Sequence, residues 1–237
     1  MTTTTIDARD IMVTRELKVS TPDLGWLAAG MLAAAAEGEV YGVRQHAHIV
    51  AEGLTAIAES TDGYRLHQMH LSLREPVERI EAVIPRDVLV WAKRNVRTFK
   101  PKRDSLIEPV ASLLLAVPAI QDENSIAGWV SAIYREWDDD TAPSARFDAP
   151  LVKDAYPHVE RIIDQARAAE PTMPHPIQLA FIADAQNLET TFTDPPVIQF
   201  TAGPKGKPGP ALLDFWESGN LRATALIQPS SGDGGDE

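Results

Sequence analysis

An α+β fold built of repeated βαβββ units is what the sequence predicts, on three observations. A short extended segment, a turn and a helical stretch of about three turns recur three times along the chain. Each helical stretch is followed by apolar-polar runs of strand length, set off by turn residues. The 237 residues are 44% hydrophobic and 24% charged, an ordinary globular balance with enough apolar side chain for a buried core.

The first unit opens with Lys18 to Asp23 and continues into LGWLAAGMLAAAA. Ser20 or Thr21 can cap this helix, and Pro22 suits its first turn. HAHIVAEG, LTAIAEST and YRLHQMHLSL follow as strands, with Gly53 and Asp62-Gly63 at hairpin turns. In the second unit Ala82-Val83-Ile84-Pro85 leads into the helix RDVLVWAKRNVRTF, then PVASLLLAVP, IAGWVSAIYREW and SARFDAPLV. In the third, Ile177-Gln178-Leu179 leads into AFIADAQNLETTF, then PPVIQFTAG, PALLDFWES and NLRATALIQP, with Gly219-Asn220 at the last turn. The units lie near 11–80, 81–165 and 174–230. The stretch Arg103 to Glu108 and the run WDDDTAPS read as loops or insertions, and EPTMPHP (170–176) as a Pro-rich linker. The tail SSGDGGDE is polar and acidic, and disorder is expected there.

Without Cys, disulfide and thiolate chemistry are excluded, and a reducing compartment fits. MTTTTIDARD lacks the apolar core of a secretory signal, and the run from Leu24 to Ala36 is too short to span a bilayer. A cytoplasmic protein with no membrane partner is the expectation. The net charge of −12 argues, taken alone, against a nucleic-acid surface. Its distribution matters more. Lys93, Arg94 and Arg97 fall in the second helix, followed by Lys100, Lys102 and Arg103. Positions 93 and 97 are one turn apart with 94 beside them, so the three can share a face while Leu89, Trp91 and Val96 point away from it. A run of this kind is, more often than not, a solvated surface.

Other constellations are weak. His46 and His48 alternate on one strand, but two His without a third ligand are a poor zinc signal. Asp138-Asp139-Asp140 has no fixed ligand geometry. GPKGKPG lacks the GK[ST] ending of a phosphate loop, and no nucleophile elbow occurs. No catalytic residue, metal or cofactor is expected.

Thr61-Asp62-Gly63-Tyr64-Arg65-Leu66 resembles the T-D-G-H-R-L stretch of the bacterial DNA polymerase III beta subunit sliding clamp. Ile84-Pro85-Arg86 resembles the strand-to-helix entry that follows it in that family. Ala155 to Ile163, AYPHVERII, resembles the F-P-D-Y-R-R-V-L segment closing the family's middle domain, and Leu226-Ile227-Gln228-Pro229 is similar to its V-M-P-M ending. Their order and spacing extend the likeness from about Val13 to Pro229. The resemblance implies a DNA-clamp fold covering the family's middle domain and the second half of its last domain, in a shortened, phage-type chain. It divides the chain into an N-terminal segment (1–12), a clamp domain of two units (13–165), the linker (166–176), a third half-domain unit (177–230) and the acidic tail (231–237). Rings in that family hold twelve units, so three per chain implies a homotetrameric ring, closed by head-to-tail contacts that satisfy sheet edges at both ends.

The function so implied is non-enzymatic: a processivity factor that encircles double-stranded DNA independently of sequence and tethers a DNA polymerase and a clamp loader through short peptide motifs. The alternative is a clamp-like adaptor or decoy that binds partner peptides without closing a ring. A metal-dependent enzyme is a distant third. The family's apolar peptide groove maps onto Thr61, Gly63, Tyr64, Arg65 and Leu66, then Pro157 and Ile162, then Leu226, Gln228 and Pro229. Gln228 stands where the family has Met, implying a more polar groove. DNA contact maps onto Lys93, Arg94, Arg97, Lys100, Lys102 and Arg103, with Arg44, Lys205 and Lys207 as further positive charge. The plainer readings are core packing for Leu66 and Ile162 and a simple turn for Asp62-Gly63.

Overall fold

The first strand, β1 (Met12–Ser20), enters α1 (Thr21–Ala34) through a side-chain cap: Asp23 N–H donates to Ser20 Oγ at 3.1 Å, and Pro22 sits in the first turn. The computed structural model describes residues 12–96, 98, 109–119, 128–136, 143–190 and 192–230. After α1 come β2 (Ala47–Thr61), β3 (Arg65–Ile84), α2 (Arg86–Asn95), β4 (Val110–Pro118), β5 (Trp129–Arg135) and β6 (Ala145–Pro150). Then follow α3 (Glu160–Ala168), α4 (Leu179–Ala185), β7 (Val197–Ala202), β8 (Pro208–Glu217) and β9 (Asn220–Ile227).

The strands form two antiparallel sheets, ordered β1-β4-β5-β6 and β2-β3-β9-β8-β7. The third unit is not set apart. β9 pairs with β3 from Arg65↔Ile227 to Met69↔Ala223, so the last three strands extend the sheet begun in the first unit. One apolar core runs through the chain, from Leu17 through Leu27, Ile49, Leu89 and Leu115 to Phe215 and Ile227. α1 lies within it because its small residues allow close approach. A Cβ on Gly25 would stand 2.3 Å from Val96 Cγ2 beside α2, and one on Gly30 would stand 2.5 Å from Met69 Sδ of β3.

Within β2 the chain doubles back. His48 and Glu59 are eleven residues apart, a span of about 36 Å in a straight strand. Their side chains nevertheless meet at 3.4 Å. The ladder shifts register on both sides of Gly53, whose φ of 60° bends the strand there. Leu66 and Val83, near opposite ends of β3, likewise pack into one cluster with Tyr156. The turn expected at Gly53 is therefore a fold inside β2 rather than a break between two strands.

Three further differences from the sequence reading are local. Ala82 to Ile84 is the end of β3, a strand that begins at Arg65. Ile177 and Gln178 belong to no strand, and Leu179 already lies in α4. α3 was not foreseen: it starts at Glu160 without a side-chain cap, so the usual entry signal is missing. The linker segment lies along β7, with Thr172 N–H donating to Phe200 O at 2.8 Å and Ala202 N–H to Glu170 O at 2.9 Å. Among the described residues no helix is long and apolar enough to cross a membrane.

Candidate functional site

The turn between β2 and β3 is built by its own polar side chains. Asp62 Oδ1 accepts from the N–H groups of Tyr64 (2.9 Å) and Arg65 (3.0 Å), an Asx turn that fixes the loop. Thr61 Oγ1 accepts from Gly63 N–H at 3.0 Å and donates to Arg65 O at 2.7 Å. Gly63 has φ 97°, and a Cβ there would stand 3.0 Å from an Arg44 guanidinium nitrogen, so conformation and space both favour glycine.

Arg65 ties this turn to α4. Its guanidinium bonds Asp184 of α4, lies 3.1 Å from Asp62 and sits 4.7 Å from the Phe181 ring centroid. Tyr64 stacks on the same ring at 6.5 Å. From the other side, Gln228 N–H donates to Tyr64 O at 2.8 Å just beyond the last rung of the β3–β9 ladder.

α3 covers the opposite face of this sheet. Tyr156, Val159, Ile163 and Ala166 pack on Leu66, Val83, Leu212 and Leu226, and Leu66, Leu226 and Leu212 share one cross-strand row. Arg167 anchors the far end of α3 on Asp214 (3.0 Å) and Thr224 (2.8 Å). Tyr156, just ahead of α3, stacks on His48 at 5.3 Å. Burial works against a charged His48 imidazole, but the bonds and charges of Glu59 and Glu81 outweigh it and raise its pKa above the usual histidine value.

Between these elements lies an open cavity of about 280 Å³. It is lined by Arg44, Thr61, Gly63, Tyr64, Arg65, Leu66, Pro157, Val159, Ile162, Leu226 and Gln228. Nine of the ten residues singled out for the groove are thus brought to one place from three distant stretches of chain, the tenth, Pro229, standing outside the lining. Leu66 and Leu226 are buried, while Tyr64 is 64% and Ile162 40% exposed. The cavity can hold apolar side chains on a leucine floor, with the exposed Arg44 and the partly exposed Gln228 as polar groups at its edge. Sequence reasoning missed Val159, whose spacing from Ile162 was the available signal, and counted Arg44 with the basic residues rather than with the groove.

Lys93 and Arg94 stand exposed in the last turn of α2, where cations suit the helix dipole. Val88, Leu89 and Ala92 turn inward, and Trp91 stacks on Tyr134 (5.5 Å) and Phe147 (5.9 Å). Arg97, Lys100, Lys102, Arg103 and Asp138-Asp139-Asp140 lie outside the described residues. α1 and α4 carry no Lys or Arg, and α4 carries Asp184. Lys205 and Lys207 lie in the turn between β7 and β8 rather than on a helix. His46 caps the chain's entry to α2, Nδ1 accepting from Arg86 N–H at 3.1 Å, while His48 bonds Glu59 and Glu81. Among the described residues no group of three or more His, Cys, Asp or Glu is placed to hold a metal ion.

No protein-family model matches the sequence, and no characterised protein matches it by sequence. Solved structures do match. A DNA polymerase sliding clamp from Pseudomonas aeruginosa aligns over 90% of this chain and 66% of its own, with 12% identity and a TM-score of 0.55. A Pseudomonas aeruginosa sliding clamp bound to griselimycin aligns over 91% and 65%, with 13% identity and a TM-score of 0.52. The DNA polymerase III beta chain of Streptococcus pneumoniae aligns over 96% and 67%, with 14% identity and a TM-score of 0.50. The chain spans half to about two thirds of the length of the structures it matches. At such identities the likeness speaks for architecture, and the architecture of this chain is the DNA polymerase III beta-subunit sliding-clamp fold.

Proposed function

We propose that this protein acts in the cytoplasm as a DNA sliding clamp: a non-enzymatic processivity factor whose copies encircle duplex DNA and hold a polymerase, and the loader that opens the ring, through short peptide motifs. The observation that carries this reading is the convergence of Thr61–Leu66, Pro157–Ile162 and Leu226–Gln228 on one apolar cavity. An extended peptide with Leu or Phe anchors suits such a site: apolar side chains enter over Leu66 and Leu226 while its backbone meets the polar groups at the edge. Lys93 and Arg94, with Arg97, Lys100, Lys102 and Arg103 beyond them, would approach DNA phosphates without reading bases. Three repeats per chain favour a ring of four chains.

A peptide carrying Leu and Phe anchors, fluorescently labelled, tests the groove by anisotropy. Ile162→Asp combined with Tyr64→Ala is the suitable variant, because both side chains are partly exposed and the fold should survive. Leu66→Asp would bury a charge in a packed cluster and confuse the result. Binding should weaken at least about tenfold; unchanged binding by a folded variant would place the peptide elsewhere.

One observation favours the adaptor reading instead. The net charge is −12, and α1 and α4 present no cation. A clamp-like protein that binds partner peptides but does not hold DNA would need the groove alone.

A further inference from the structure

His48 is held between two carboxylates that arrive from different places in the chain. Its Nδ1 lies 3.4 Å from Glu59 Oε2, across the fold in β2, and its Nε2 lies 3.0 Å from Glu81 Oε1 near the end of β3. A protonated ring donates from both nitrogens and satisfies both partners. A neutral ring carries one N–H, so in either tautomer one nitrogen turns a lone pair toward a carboxylate. Either the buried Glu59 is left with its bond from Gln68 Nε2 at 2.8 Å, or the exposed Glu81, which also has Arg79 at 3.6 Å, swings into water. In both cases the ring loses one of the two anchors that fix its plane.

Tyr156 lies flat on that plane, with ring centroids 5.3 Å apart and 11° between the rings. Protonation therefore also sets a positive charge over the phenol face, which attracts it. Tyr156 belongs in turn to the cluster of Leu66, Val159 and Leu226, and its neighbours Pro157 and Val159 line the cavity. We infer that His48 is a proton switch on the groove: the protonated ring holds Tyr156, and with it the Pro157–Val159 wall, in the shape that receives a peptide, and deprotonation loosens that wall. The inference rests on the groove reading above and adds how that site is regulated. The charges facing the ring are Glu59 from β2 and Glu81 from β3, while the segment ahead of α3 presents the Tyr156 phenol. Burial opposes the charged ring, but those two carboxylates outweigh it and raise its pKa above 6.5, so the wall loosens as pH rises past that raised value. Burial drives His46 and His70 the other way, so both titrate on the acid side of His48.

A rhodamine-labelled, end-capped peptide with Leu and Phe anchors and no titratable side chain tests this by anisotropy. Its affinity for the full chain should fall about three- to tenfold between about pH 6 and about pH 9. By linkage, the His48 pKa followed through its ring-proton resonances should rise when the peptide saturates the groove. His48→Gln cannot take up the proton, and its binding should ignore pH. Glu59→Gln lets a neutral ring accept from the new amide while it donates to Glu81, so it should keep the tighter binding at high pH. Circular dichroism checks that each variant folds. Binding of the unaltered chain that ignores pH, a His48 pKa that the peptide does not raise, or a full pH dependence in either folded variant would each overturn the switch and leave the groove standing. A peptide that binds at no pH would overturn the groove reading and the switch with it.

Discussion

His48 Nδ1 lies 3.4 Å from Glu59 Oε2 although the two belong to one strand eleven residues apart. Gly53 makes this possible. Its φ of 60° is left-handed, and no side chain crowds it. Gly53→Val should cost about 1–2 kcal/mol, because a β-branched residue is strained there. Gly53→Asn should cost well under 1 kcal/mol, since Asn tolerates that region. Urea denaturation separates the two; equal stability of both variants would mean that the fold in β2 does not depend on this conformation.

His67 should make stability depend on pH. It is buried against α1, with a ring nitrogen 2.8 Å from Gly30 O. Burial disfavours the charged ring and, outweighing the carbonyl bond, lowers its pKa from the usual 6.5 to about 4. Between these values the unfolded chain binds more protons than the folded one, so stability is full above pH 6.5 and falls as pH drops toward 4. The loss is about 3 kcal/mol at most from this group. His67→Gln should flatten that part of the curve; a wild-type slope in the variant would assign the dependence to other groups.

Arg65 should decide whether α4 stays docked. Replacing it with Met removes the bonds to Asp184 and Asp62 and the contact with Phe181. The expected cost is about 2 kcal/mol, as two half-buried carboxylates lose their partner. Hydrogen exchange should quicken in α4 before it does in β4 or β5. Uniform exchange across the chain would mean that α4 is held by other contacts.

Lys93→Glu with Arg94→Glu should weaken retention on DNA while leaving the assembled mass unchanged, both residues being exposed on α2. The dependence of binding on salt should become shallower, since fewer phosphates are neutralised. Unaltered retention would remove α2 from the DNA-facing surface.

Much of this was legible in the sequence where local chemistry sets the structure. Ser20, Pro22 and Asp23 announce α1, and Asp62 and Gly63 announce the turn that forms one wall of the cavity. The strands of the third unit were legible from their apolar runs and from Gly219. What escaped depends on contacts far apart in the chain. α3 has no capping residue and gains its place from Leu66, Leu212 and Leu226 beneath it. Arg44 reads as a lone surface cation until the strand that follows it brings it beside Gly63. The joining of β9 to β3 leaves no mark in either segment alone.

The absolute mass of the unaltered chain in solution, measured by light scattering after size exclusion over a range of concentrations, tests the proposed clamp most directly. A mass of four chains that persists on dilution is expected of a closed ring with three repeats per chain. A monomer at every concentration, with or without DNA, would contradict it.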